Sequence, residues 1–286
     1  MKKILFGIVV KNRTENSINL VKYVLVRIGI IFLFIILLPI LSQGQTDQKK
    51  VKKLIWSDEF DYQGLPDSAK WNYIVGKSRV NNEPQWYTRD LKNMMVANGK
   101  LTITVRQEDI KGEKRYTSGR IDTRGKFQTT YGRIEARAKL PKGRGVWPAF
   151  WMLGMSGRWP ACGEIDILEY WGHNANTIAS NVHTADYNHT KGTGRGGKMT
   201  YENPFNDFHI YAVEWYSDHL DFFMDDNLFY TCKTKGEGPG EWPFNAPEII
   251  IINLALWNNW GGQPGIDDSI FPQEFIVDYV RVYELK

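Results

Sequence analysis

From Leu54 onward the chain alternates apolar and polar residues in short runs broken by turn residues, with no sustained helical period. Met95-Val96-Ala97 and Lys100-Leu101-Thr102-Ile103-Thr104-Val105 flank Asn98-Gly99, a hairpin signal. The stretch 132–140 alternates strictly, and 209–215 and 220–230 read as strands with turns at Ser217-Asp218 and Asp225-Asp226-Asn227. Glu248 to Leu256 is almost continuously apolar, which predicts a strand covered on both faces. Phe275 to Tyr283 is the last strand. Many short strands with frequent turns predict an all-β fold. At this length the expectation is a jelly-roll β-sandwich of two large curved antiparallel sheets, with a concave face for a long ligand. One domain is expected over 54–286, preceded by a polar, lysine-rich linker over 45–53.

One stretch breaks the pattern in an informative way. Glu164-Ile165-Asp166-Ile167-Leu168-Glu169 sets three carboxylates among apolar residues. Side chains at i and i+2 of a strand share a face, so Glu164 and Asp166 point together while Ile165 points into a core. Glu169 would then point into that core, where an unpaired carboxylate costs several kcal/mol. A β-bulge at Ile167-Leu168 returns Glu169 to the face of Glu164. Their Cα atoms would lie roughly 13 Å apart at about 3.3 Å per residue. Side chains leaning together can close that to roughly 5–6 Å between carboxyl groups, and about 5–5.5 Å is the separation of a retaining glycosidase. A plain strand with acids on a solvent face is the competing reading.

Charge is less informative than it looks. The 286 residues carry a formal +4. Residues 1–44 hold six of the 36 Lys and Arg and one of the 32 acids, so the remainder carries 30 against 31 and offers no case for a nucleic-acid partner. The 14-residue apolar run from Ile28 to Leu41 is short for a bilayer span. Following Lys22 and Arg27, it suits a secretory signal cleaved near Gly44. Residues 1–44 are therefore expected to be a signal peptide, with an uncleaved anchor as the alternative, and the mature protein to be secreted or periplasmic. Cys162 and Cys232 are expected as free thiols, and no Cys/His spacing suggests zinc.

Aromatic and polar residues around the acids suit a sugar ligand. Trp147, Trp151 and Trp159 lie close in sequence to Glu164, with Trp86 and Trp171 further away. Tryptophan faces complement pyranose rings, although core packing explains a single tryptophan as well. Asn81, Glu83, Arg120 and His183 are polar candidates, the last equally suited to a structural hydrogen bond.

Taken together, Trp56-Ser57-Asp58-Glu59-Phe60, Asn81-Asn82-Glu83, Ser118-Gly119-Arg120-Ile121, the 147–153 segment Trp-Pro-Ala-Phe-Trp-Met-Leu, Glu164 to Glu169 and Val277-Asp278-Tyr279-Val280-Arg281-Val282-Tyr283 resemble glycoside hydrolase family 16 of laminarinase type. The resemblance implies a concanavalin A-like jelly roll that hydrolyses β-1,3-glucan internally with retention. Mixed-linkage β-1,3-1,4-glucan is a further possible substrate. It makes Glu164 the nucleophile, Glu169 the acid/base and Asp166 their helper, and it implies no catalytic cofactor and a monomer. It also implies a structural calcium held by Glu59, Gly99 through its carbonyl, and Asp278. Two departures stand out: Leu256-Trp257-Asn258-Asn259-Trp260 replaces an expected glycine-rich stretch, so Trp257 is expected to shape the cleft, and Trp86 stands where the family is usually Tyr or polar. Two alternatives remain at this point. One is a hydrolase of another polysaccharide such as agarose or carrageenan; of these, a sulfated galactan would want a basic cleft, to which Arg120, Arg124, Arg144 and Arg158 could contribute. The other is a non-catalytic glucan-binding module.

Overall fold

The computed structural model describes residues 53–285 apart from 79, 111 and 258–264. The expected signal peptide and nearly all of the linker lie outside the described residues. Lys53, the linker's expected last residue, already pairs with Glu284.

The described residues form strands β1 to β18 in two sheets. The larger sheet runs β16 (Asn227–Lys233), β15 (His219–Met224), β14 (His209–Trp215), β9 (Gly132–Lys139), β18 (Gln273–Glu284), β6 (Lys100–Ile110), β7 (Glu113–Ser118), β4 (Trp86–Tyr87), β3 (Gly76–Lys77). Strands β1 (Lys53–Asp58) and β5 (Met94–Ala97) pair onto β18 and β6. The smaller sheet runs β13 (Arg195–Thr200), β12 (Thr177–His183), β11 (Glu164–Tyr170), β10 (Val146–Gly154), β17 (Glu248–Leu256), β8 (Arg120–Asp122), β2 (Asn72–Tyr73). Pairing is antiparallel except for the short β4–β7 contact. This is the expected sandwich.

Local chemistry explains the strand ends. Asn98 and Gly99 sit at φ 54° and 71°, the conformation that a tight hairpin between β5 and β6 requires. Between the sheets, the inner faces of β10, β11 and β17 supply Phe150, Met152, Ile165, Leu168, Ile250, Ile252 and Leu254. They meet Ile134, Ala136, Tyr211, Val213, Val280 and Val282 of β9, β14 and β18. Each large side chain buried here contributes about 2 kcal/mol. Strand β17 is buried along its whole length, as its apolar run predicts. Of its outward-facing residues, Asn253 and Ala255 line a cleft on the outer face of the smaller sheet. Cys162 and Cys232 are buried free thiols.

Candidate active site

The cleft takes its shape from three neighbouring strands, β10, β11 and β17. Opposite β10, the register of β11 runs Leu153–Glu164, Trp151–Asp166, Phe150–Leu168, Ala149–Glu169, so Ile167 is an extra residue. Opposite β12, the register steps between Asp166–Asn181 and Glu169–Ala179, leaving Ile167 and Leu168 against Ser180. The Ser180 hydroxyl donates to the Ile167 carbonyl at 2.8 Å and so supplies the bulge with a partner. Ile165, Ile167 and Leu168 are fully buried, while Glu164, Asp166 and Glu169 all line a cleft of about 450 Å³. The bulge thus sits at the residues that the cost of a buried acid singled out.

The rest of the cleft follows from strand alternation. Trp147, Ala149, Trp151 and Leu153 form one row on β10. Ala149 lies between Glu169 and Asn253 on its two flanking strands. A small residue between two tryptophans leaves a slot directly above the acid. Trp151 donates through Nε1 to Asn253 at 2.7 Å, and the Arg120 guanidinium lies over its ring at 5.0 Å. Trp159 stands at the cleft edge, half exposed, beside His189 at 5.2 Å between ring centroids.

Glu169 is the most constrained of the acids. Trp147 Nε1 donates to it at 3.2 Å, and Asn181 Nδ2 donates to its other oxygen. Burial, aided by the neighbouring Asp166 charge, pushes its pKa up to about 8. Burial alone raises Asp166 as well. Burial, with repulsion from Asp166 and Glu169, raises Glu164, while His183 and a hydrogen bond involving Trp159 oppose that rise. Glu164 keeps 16% of its side chain exposed against 7% for Asp166, so it retains the most water of that pair to support a charge. Burial and mutual repulsion thus favour keeping protons on this cluster, and neighbouring carboxyls of this kind do not all ionise together.

The other sequence candidates divide. Asn81, Glu83, Arg120, Trp147, Trp151 and Trp159 line the cleft. Glu83 is mostly committed to its own loop, accepting from Ser78 and Gln85 at 2.7 Å each. His183 lies beneath the acids, with Nε2 3.3 Å from Asp166 and 3.7 Å from Glu164. Trp257 packs edge-on against the cleft residue Trp147 at 5.3 Å between ring centroids. The rest of the segment that departs from the family pattern lies outside the described residues. The expected calcium ligands do not fit a cation as arranged. Both oxygens of Glu59 accept from Arg281 at 3.0 and 2.7 Å, and Asp278 accepts from Arg137 at 2.6 Å. Calcium prefers a shell of oxygens, and these carboxylates face guanidinium groups instead.

Some residues of the cleft went unnoticed in the sequence. Asn181 shares a strand face with His183, and Asn253 is the polar residue within an apolar run, the one signal each carries in the sequence. His189 and Thr190 line the cleft from a short 3-10 turn whose placement has no local sequence signal.

A jelly roll carrying paired carboxylates in a tryptophan-floored concave cleft is a glycoside hydrolase. The chain belongs to Glycosyl hydrolases family 16, whose sequence pattern matches residues 81–279. It is 43% identical over 255 residues to a beta-glucanase of Rhodothermus marinus, covering 85% of this chain and 89% of that protein. The solved laminarinase of Rhodothermus marinus superposes with a TM-score of 0.78 at 46% identity, covering 83% of this chain and 99% of that one. SCLam, a non-specific endo-beta-1,3(4)-glucanase, superposes with a TM-score of 0.77 at 39% identity, covering 82% and 92%.

Proposed function

We propose that this glycoside hydrolase cuts β-1,3-glucosidic bonds inside laminarin-like glucans with retention, with mixed-linkage β-1,3-1,4-glucan as a further substrate. The observation that carries this reading is the bulge at Ile167, which sets Glu164 and Glu169 on one face above the Ala149 slot. In the first step Glu169 gives its proton to the glycosidic oxygen as Glu164 attacks the anomeric carbon. The C–O bond breaks, the leaving sugar takes the proton, and a glycosyl ester forms on Glu164. In the second step water attacks the same carbon, Glu169 takes the water's proton, and Glu164 leaves as a carboxylate. Asp166, between them on the strand, shares the proton load and hydrogen-bonds the nucleophile when protonated. Trp147 and Trp151 stack sugar faces, and the buried Nε of Arg120, which has no protein acceptor, donates to a sugar hydroxyl. No step calls for a cofactor.

Of Arg120, Arg124, Arg144 and Arg158, Arg120 alone lines the cleft, which argues against a sulfated galactan as substrate. The protein is read as a monomer with glucan as its partner, exported by cleavage of residues 1–44. Amino-terminal sequencing of protein recovered outside the cytoplasm tests the export step. For the reaction, Glu164→Gln is expected to lower laminarin turnover on the order of 10⁴- to 10⁶-fold while oligosaccharide binding persists. Wild-type NMR should show the β-anomer first. An α-anomer as the first product would rule out the double displacement.

A further inference from the structure

We propose that Glu164, Asp166 and His183 form a binding site for a zinc-type divalent cation, and that cation and glucan exclude one another there. The three residues place one donor atom each within 4.8 Å of one another. Zn–N and Zn–O bonds of about 2.0–2.2 Å in a tetrahedron put neighbouring donors about 3.3–3.6 Å apart. His183 Nε2 lies 3.3 Å from Asp166 Oδ2 and 3.7 Å from Glu164 Oε1, so two edges of such a tetrahedron are nearly in place.

An independent observation points to a ligand. Asp166 is 5% exposed, and its Oδ2, the atom facing His183, has no hydrogen-bond donor. A buried carboxylate oxygen without a donor is costly, and a cation satisfies it. The strands explain why the donors converge: Glu164 pairs with His183 across β11 and β12, and Asp166 sits two residues along on the same face. The His189 ring, 5.1 Å from that of His183, borders the cleft and adds a second imidazole nearby. Imidazole with carboxylates selects zinc or copper over calcium and magnesium, which prefer oxygen alone. A cation held here would cover Glu164, so glucan could not reach the nucleophile. That exclusion rests on the glucan reading of the cleft, whereas the cation site itself does not.

The test is calorimetric titration of the untagged full chain with zinc chloride, repeated with a laminari-oligosaccharide present. The expected result is one saturable site, weakened on the order of a hundredfold by His183→Ala and also weakened by Glu164→Gln, with circular dichroism confirming that both variants are folded. Oligosaccharide should weaken zinc binding in the wild type, and magnesium should not compete. Absence of saturable binding overturns the proposal. So does binding unchanged in both variants, which would assign zinc to another histidine–carboxylate pair such as His209–Asp225. Zinc binding indifferent to oligosaccharide in a protein that hydrolyses laminarin overturns the exclusion. Zinc binding lost in the variants of a protein with no laminarin hydrolysis supports the cation site and counts against the glucan reading alone.

Discussion

Glu169 owes its role to where its proton resides. Burial pushes its pKa up to about 8, so below that pH it is loaded as an acid. The expected alkaline limb of kcat/KM therefore lies near 8, falling as pH rises and the proton is lost. On the proposed mechanism the acidic limb would report Glu164, which must lose a proton that burial and two neighbouring carboxylates favour keeping. Asn181 sharpens the argument, because its amide favours the charged form of Glu169. Asn181→Ala should move the alkaline limb to higher pH while leaving the acidic limb nearly in place. A downward move, read from the pH profile on laminarin, would contradict the assignment of that limb to Glu169.

At the scale of the strand, β11 holds three acids because its other face is anchored in the core by Ile165, Leu168 and Tyr170. Deleting Ile167 would leave Glu169 four residues after Glu164, on the same face of a regular strand. The expected result is a folded protein whose Glu169 still faces the cleft and which keeps measurable laminarin hydrolysis, read by steady-state kinetics beside a thermal melt. Neighbouring β17 carries a second strained carboxylate. Glu248 is fully buried, neither oxygen has a hydrogen-bond partner, and burial with repulsion from Glu164 and Asp166 raises its pKa well above the usual carboxylate value. The unfolded chain ionises near 4.5 while the folded one keeps the proton, so folding takes up a proton between those two values. Glu248 alone should then lower stability by about 1.4 kcal/mol per pH unit across that window. The three cleft acids are raised as well and add slope of the same sign, so Glu248→Gln should make the total slope shallower without removing it, as measured by denaturant unfolding as pH rises from 5. These strands were largely legible in the sequence. The β14 and β17 segments keep the bounds their patterns predict, and the bulge followed from the cost of burying Glu169. What was not legible comes from partners distant along the chain. Arg281 reaches Glu59 across 222 residues and Arg137 reaches Asp278 across 141, and no local pattern announces either pair. Trp257 against Trp147 and His189 beside Trp159 are contacts of the same kind.

At the scale of the whole molecule, charge separates the surviving substrate readings. Beyond residue 44 the chain is nearly neutral, with 30 basic against 31 acidic residues, and Arg120 is the one Lys or Arg among the described residues lining the cleft. Four carboxylates, Glu83, Glu164, Asp166 and Glu169, line the same cleft. Such a surface gives no long-range attraction to a polyanion, and any short-range help from Arg120 is opposed by the acids. A neutral glucan is instead held by stacking and hydrogen bonds, which salt screens little. Raising ionic strength from about 0.05 M to about 0.5 M shrinks the Debye length from roughly 14 Å to roughly 4 Å, enough to abolish steering of a charged chain. The expected outcome is a KM for laminarin that changes less than about twofold over that range, with kcat unchanged. Steady-state kinetics at several salt concentrations check this directly. A KM that climbs steeply with salt would mean that the ligand carries charge and that a basic surface beyond the described cleft residues recognises it.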